Sequence, residues 1–179
     1  KRQDSFLLKR GCVEKEFETK ITVDDKSTDT PTHKVDCFKN KVALEIEWNN
    51  KDPFFDRDLE NFKRLHADGV ISIGGIITRG TTLQESLRDL ISQFARKNGI
   101  KSIKSLEKYY SPTARQVGLI ERNAQSRGSF EDGWAHAFVS DKFGEATTHW
   151  RKLEDRVHRG VGNPCPLLLI GIPKDVVVL

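Results

Sequence analysis

The apolar positions along the chain change their spacing several times, and each change marks an element. Phe6, Leu7 and Leu8 fall in a stretch, residues 1–11, that reads as the end of a helix stopping at Gly11. Between Glu16 and Val23, Phe17, Ile21 and Val23 lie to one side by alternation, which predicts a strand. The polar stretch Asp24 to Thr32, with Pro31 near its end, reads as a loop. Two runs follow, His33 to Phe38 and Lys41 to Trp48, and the polar pair Lys39-Asn40 between them suits a tight hairpin turn. In the second run Val42, Leu44, Ile46 and Trp48 alternate with Ala43, Glu45 and Glu47, so a strand sets both glutamates on one face.

Residues 55–68 switch to helical spacing through Phe55, Leu59, Phe62 and Leu65, with Asp56, Asp58 and Glu60 suited to the positive end of the helix dipole. Val70 to Thr78 is a short continuous apolar run, as expected of a strand buried on both faces. From about 81 to 143 the pattern predicts several helices, including Leu83 to Lys97, Ile103 to Tyr109 and Thr113 to Gln125, punctuated by Gly99, Pro112 and Gly128. A further helix is expected from Thr147 to Arg159, and Pro166 to Ile172 reads as another buried strand. This order predicts an α/β fold, a mixed central sheet flanked by helices. A single domain over residues 1–179, with a helical insertion at about 81–143, accommodates it.

Composition narrows the class. Hydrophobic residues make up 36% and charged residues 31% of the 179, which fits a globular chain rather than a disordered one. No apolar run approaches the roughly 20 residues of a membrane-spanning helix, so no membrane partner is expected. The net charge of +4 and a pI near 9.0 tilt toward a polyanionic partner. Cys12, Cys37 and Cys165 form neither a zinc pattern nor an even disulfide framework. Three small buried thiols in a reducing cytoplasm are therefore expected. GVISIGG and RGVGNP do not follow a strand and open a helix as a phosphate loop must, so no nucleotide cofactor is expected.

The candidate chemistry lies in Asp36, followed nine positions later by Glu45-Ile46-Glu47. In a hairpin Asp36 can sit opposite the Glu45 and Glu47 face, bringing three carboxylates together. Like charges so close call for a cation, and oxygen-only ligands select Mg²⁺, with Mn²⁺ as a substitute. A metal held by Asp36, Glu45 and the backbone carbonyl of Ile46 would serve phosphodiester hydrolysis. Glu47 would orient or deprotonate the attacking water. An edge strand with a solvated polar face would give the same residue pattern, so spacing alone leaves both readings open.

The segment HKVDCFKNKVALEIEW resembles the catalytic hairpin of the BglII/BstYI-type restriction endonucleases, within the PD-(D/E)XK nuclease superfamily. The resemblance continues through EIEWNNKDPFFDRDLENFKRLHADGVISIGGIITRG and resumes in FGEATTHWRKLEDRV and CPLLLIGI, about half the chain in all. It implies a restriction-endonuclease-like core and a type II enzyme, an Mg²⁺-dependent homodimer that cuts double-stranded DNA at a palindromic site. Two departures stand out: Glu47 occupies a position where most of the superfamily has lysine and BglII relatives have glutamine, and Val35 replaces the usual proline. Where the family contacts bases, this chain has Asn49 and Asn50 after the acidic strand, and Thr147, Thr148 and His149 before a helix. Arg79 is the candidate phosphate contact. Before the resemblance is weighed, a polar turn at 49–50 and a plain helix cap at Thr147 explain these residues as well. Two other functions stay open on the residues: a repair or junction-resolving nuclease, and a non-catalytic DNA-binding module that works without Mg²⁺.

Overall fold

The computed structural model describes residues 6–31 and 34–179. The first five residues of the helix expected at 1–11, the last residue of the expected 24–32 loop, and His33 at the start of the first hairpin run lie outside the described residues. In chain order the elements are β1 (Val13–Lys15), β2 (Glu18–Val23), β3 (Lys26–Pro31), β4 (Val35–Lys39), β5 (Val42–Glu47), α1 (Phe54–Ala67), β6 (Ile73–Arg79), α2 (Thr81–Lys97), α3 (Ile103–Leu106), α4 (Ala114–Arg127), α5 (Phe130–Lys142), α6 (Trp150–His158) and β7 (Leu167–Ile172). A short 3₁₀ turn, Lys174–Val176, follows. The chain divides into two compact units, residues 1–78 with 148–171 and residues 79–147 with 172–179.

A five-stranded sheet in the order β1-β4-β5-β6-β7 organises the first unit. β1 and β5 both run antiparallel to β4, whereas β6 runs parallel to β5 from Val42↔Ile73 to Glu47↔Thr78. The Gly74 N–H bonds Pro166 O and the Gly80 N–H bonds Ile172 O, the same offset at both ends, so β7 is parallel to β6. The sheet is therefore mixed, as the sequence predicts.

Two hairpins close on left-handed residues. Asn40 and Lys41 have φ of 49° and 63°, and Lys39 pairs with Val42, so the turn is Asn40-Lys41, one residue later than expected. Asn is among the few residues that enter this region at low cost, and it leads the turn. Asp24 and Asp25, at 47° and 63°, do the same between β2 and β3, which form a separate two-stranded ribbon. The polar stretch expected as a loop is thus mostly strand. Lys26 to Pro31 has no apolar alternation to announce it, and pairing across the turn supplies what side-chain burial does not.

α1 packs its apolar stripe onto the sheet. Phe55, Leu59, Phe62 and Leu65 are fully buried in one core with Val35, Ala43, Ile71, Ile76, Leu153 and Cys165. Each such side chain contributes about 1.5–3 kcal/mol on burial. Asp58 and Asn61 lie on the same stripe and are also fully buried. The close approach of helix and sheet requires Gly74: a Cβ there would lie 2.5 Å from Phe62 Cδ2 and 2.6 Å from Phe62 Cγ. We expect Gly74→Ala to lower stability by about 1–3 kcal/mol, as overpacking does. Thermal unfolding would check this; an unchanged midpoint would mean that α1 can lift off the sheet without cost.

Several expectations need correction. β7 is an edge strand, not a doubly buried one, and leaves Leu168 52% and Ile170 37% exposed. α6 starts at Trp150 with His149 as its N-cap residue, three positions after the expected start. Its anchor is Arg156, which donates from Nε to Asp56 at 2.8 Å and lies 3.5 Å from Asp52, tying α6 to the segment after β5. Cys12 and Cys37 are joined as a disulfide with Cα atoms 5.3 Å apart, so only Cys165 is free. The pairing of β1 with β4, Val13 opposite Phe38, brings the two cysteines together across 25 residues, a proximity that spacing does not show.

The second unit contains α2 to α5 and so takes in the helical stretch 81–143. Capping boxes start α3 (Ser102 with Ser105) and α4 (Thr113 with Gln116), and Ser129 caps α5. Phe94, Tyr110, Trp134 and Phe138 pack against Ile100, Leu106 and Ile120 in its core. No helix among the described residues is long and apolar enough to cross a membrane.

Candidate active site

The β4–β5 ladder runs from Lys39↔Val42 through Phe38↔Ala43 to Cys37↔Leu44. One residue further, acidic side chains take over from backbone rungs. The Ile46 N–H donates to Asp36 Oδ2 at 2.8 Å, and the Asp36 N–H reaches Glu45 Oε2 at 3.4 Å, a long contact. Asp36 is exposed and lines a surface cavity with Leu7, Leu8, Cys12, Glu14 and Ile46. Glu45 and Glu47 are only 2% and 3% exposed, on the Ala43 face. The hairpin therefore brings Asp36 and Glu45 together through a backbone contact. Among the described residues no three His, Cys, Asp or Glu side chains form a ready metal cage, so the expected convergence of three carboxylates is not preformed.

Burial dominates the electrostatics. Glu45 is pushed up to about 9, first by loss of water, then by the charges of Asp58 and Asp36, with the Asp36 N–H and Arg57 opposing. Glu47 is pushed up to about 8 by burial, then by Asp58, with Asn50 and Arg57 opposing. Glu45 Oε1 is buried without a hydrogen-bond partner. A buried acceptor left in that state costs about 1–3 kcal/mol.

The donor set fits a hard divalent cation in its chemistry. Asp36 and Glu45 offer oxygen alone, the carbonyl of Ile46 lies on the same strand, and the orphaned Glu45 Oε1 is a buried oxygen that a cation would satisfy.

The residues expected to meet DNA are placed very differently from one another. Asn49 is exposed. Asn50 is turned to the acidic strand: its side-chain amide donates to Glu47 Oε2 at 3.0 Å and Oε1 at 3.3 Å, and its carbonyl accepts the Thr148 N–H at 2.8 Å. Thr148 and His149 are buried, at 0% and 2% exposed. Thr147 Oγ1 donates to Gly144 O at 2.7 Å and accepts from Arg79 at 2.8 Å. Arg79 itself is fully buried, bonded to Gln84 and stacked over Phe143 with its guanidinium carbon 4.8 Å from the ring centroid. Burial lowers it to about 10. As placed, Arg79 is an interior strut of the second unit rather than a phosphate contact.

Two further side chains belong to the site: Arg57, which the sequence does not single out, and Asp58, which it marks only as a charge suited to the start of α1. Arg57 donates to Asp58 Oδ1 from Nε at 3.0 Å and from a terminal nitrogen at 2.8 Å, and that nitrogen lies 3.8 Å from Glu47 Oε1. The signal was present in the spacing: Asp58 is three positions after Phe55 and four before Phe62, on the stripe that must be buried.

The mixed sheet thus carries, on its β4–β5 hairpin, an aspartate beside a Glu-x-Glu strand whose oxygen donors suit a hard cation. The model of the restriction endonuclease BglII/BglIII family matches residues 1–172, and the chain belongs to that family. It is a type II restriction endonuclease, a hydrolase that acts on DNA. Comparison with individual curated proteins and with solved structures returned no match.

Proposed function

We propose that the enzyme hydrolyses phosphodiester bonds in both strands of double-stranded DNA at a palindromic site, with Asp36, Glu45 and Glu47 as its catalytic residues. It would act in the cytoplasm of a prokaryotic cell. The observation that carries this reading is the Asp36–Ile46–Glu45 junction, where each of the two carboxylates faces a backbone N–H at the end of the ladder and one buried Glu45 oxygen has no hydrogen-bond partner. Mg²⁺, or Mn²⁺ in its place, would be held by Asp36, Glu45 and the Ile46 carbonyl. When bound, such an ion supplies Lewis-acid stabilisation of phosphate charge and an acidified water. Glu47, which accepts from the Asn50 side chain, would orient the attacking water.

For DNA reading we favour Asn49, exposed directly after the acidic strand, as a base-edge contact. The Asn50 carbonyl, which accepts the Thr148 N–H, would steady the segment that carries Asn49. The reaction is tested by incubating the protein with phage DNA and Mg²⁺ and sequencing the fragment ends. Double-strand cuts placed symmetrically about a palindrome are expected. Intact DNA, or breaks without sequence preference, would overturn the proposal.

One acidic cluster cuts one phosphodiester at a time, so a double-strand cut calls for two clusters related by a two-fold axis, hence a homodimer. Light scattering with and without DNA should give twice the chain mass on its site. A complex that holds one chain and only nicks one strand would rule the dimer out.

A further inference from the structure

Asp58 is fully buried on the apolar stripe of α1, between Phe55 and Phe62. A buried carboxylate is expensive, and an apolar residue of similar size often serves stability at least as well. Its placement therefore needs a reason other than packing. Its neighbours supply one: Arg57 grips Asp58 Oδ1 with two nitrogens and reaches toward Glu47, while Asn50 holds Glu47 from the loop after β5. Asp58 thereby anchors the guanidinium whose terminal nitrogen lies 3.8 Å from Glu47 Oε1. The contacts fix the Glu47 carboxyl group from two sides, one on a helix and one on a loop. A solvated strand face would leave the same side chain several rotamers.

We propose that Asp58, clamped by Arg57, is a positioning residue for DNA cleavage, holding Glu47 from the α1 side as Asn50 holds it from the loop side. This rests on the assignment of Glu47 made above.

The test compares single-turnover cleavage in Mg²⁺, DNA affinity in Ca²⁺ and thermal unfolding for Asp58→Ala, Asp58→Asn, Glu47→Ala and the Asp58→Ala/Glu47→Ala double variant. Outer contacts that orient a reacting group are worth roughly 10–100-fold, so Asp58→Ala should slow cleavage by that factor while DNA affinity stays within about twofold. Asp58→Asn keeps the shape and the hydrogen bonding and should recover most of the rate. In the double variant Asp58→Ala should add less than about twofold to the loss caused by Glu47→Ala, because the two act as one unit. If Asp58→Ala fails to fold, Arg57→Gln reads the same clamp from a side chain that is 36% exposed, with the same loss of effect expected beside Glu47→Ala. Losses that multiply in the double variant, or wild-type cleavage by Asp58→Ala, overturn the positioning role. A fully active Glu47→Ala overturns the Glu47 assignment beneath it, and is told apart by needing no second substitution.

Discussion

Asp36→Ala should cut DNA at least about a thousandfold more slowly than the wild type, the loss expected when about 4 kcal/mol of cation-derived transition-state stabilisation goes. The fold should survive. Asp36 is exposed, and the Ile46 N–H that it accepts at 2.8 Å can turn to water when the side chain is shortened. Such an exchange typically costs about 1 kcal/mol or less. Asp36→Asn separates the two roles of this carboxylate, because asparagine can still accept the Ile46 N–H but carries no charge for a cation. The Asn variant is expected to be as inactive as the Ala variant while its unfolding midpoint matches the wild type. DNA affinity without metal should stay equal or rise in both, since a negative charge facing phosphate has been removed. Cleavage by Asp36→Asn at near wild-type rate would reduce Asp36 to a strand-end hydrogen-bonding residue and leave Glu45 without its partner.

The parts of the fold that were legible in the sequence are those where burial imposes a period. The stripe Phe55, Leu59, Phe62, Leu65 marks α1 to within a residue at either end, and the run at 70–78 marks β6, which opens three residues later, at Ile73, and lies between β5 and β7. Where hydrogen bonding rather than burial makes the structure, the pattern was silent. β3 has no apolar alternation and exists because Asp24 and Asp25 turn the chain back on β2. The Asn40-Lys41 turn was displaced by one residue because lysine gives no sign of a left-handed conformation. β7 was read as fully buried because an apolar run looks the same at an edge as in the middle of a sheet.

The site divides in the same way. Alternation places Glu45 and Glu47 on one face, and both are buried there. Asp36 was expected opposite them, but the regular ladder ends at Cys37↔Leu44, and its carboxylate instead caps the Ile46 amide. Asp58 was read as a favourable charge in the first turn of a helix, a reading that looks only along the chain. Its burial depends on what faces it, and only the fold shows that β5 does. Likewise Arg79 follows an apolar strand in sequence as a phosphate contact would, yet Gln84, Thr147 and Phe143 enclose it.

Glu45→Gln should separate stability from activity more sharply than any other single change. In the metal-free protein the Glu45 side chain is 2% exposed, one oxygen lacks a partner, and Asp58 and Asp36 both disfavour its charge. Glutamine keeps the shape, accepts the Asp36 N–H through its own oxygen and removes the charge. A gain of about 1–3 kcal/mol is the scale expected when an uncompensated buried group is relieved. For a chain of this size that raises the midpoint by roughly 2–4 °C per kcal/mol. Cleavage should fall as far as in Asp36→Ala, because the carboxylate that would hold the cation is gone. Mg²⁺ supplies the control. A ligand that binds only the folded state stabilises it by about 2.7 kcal/mol at a hundred times its dissociation constant, so the wild-type midpoint should climb with added Mg²⁺. The Glu45→Gln midpoint should stay flat. A variant that melts earlier than wild type, or that still gains as much from Mg²⁺, would show that Glu45 is a structural residue and that the cation is held elsewhere.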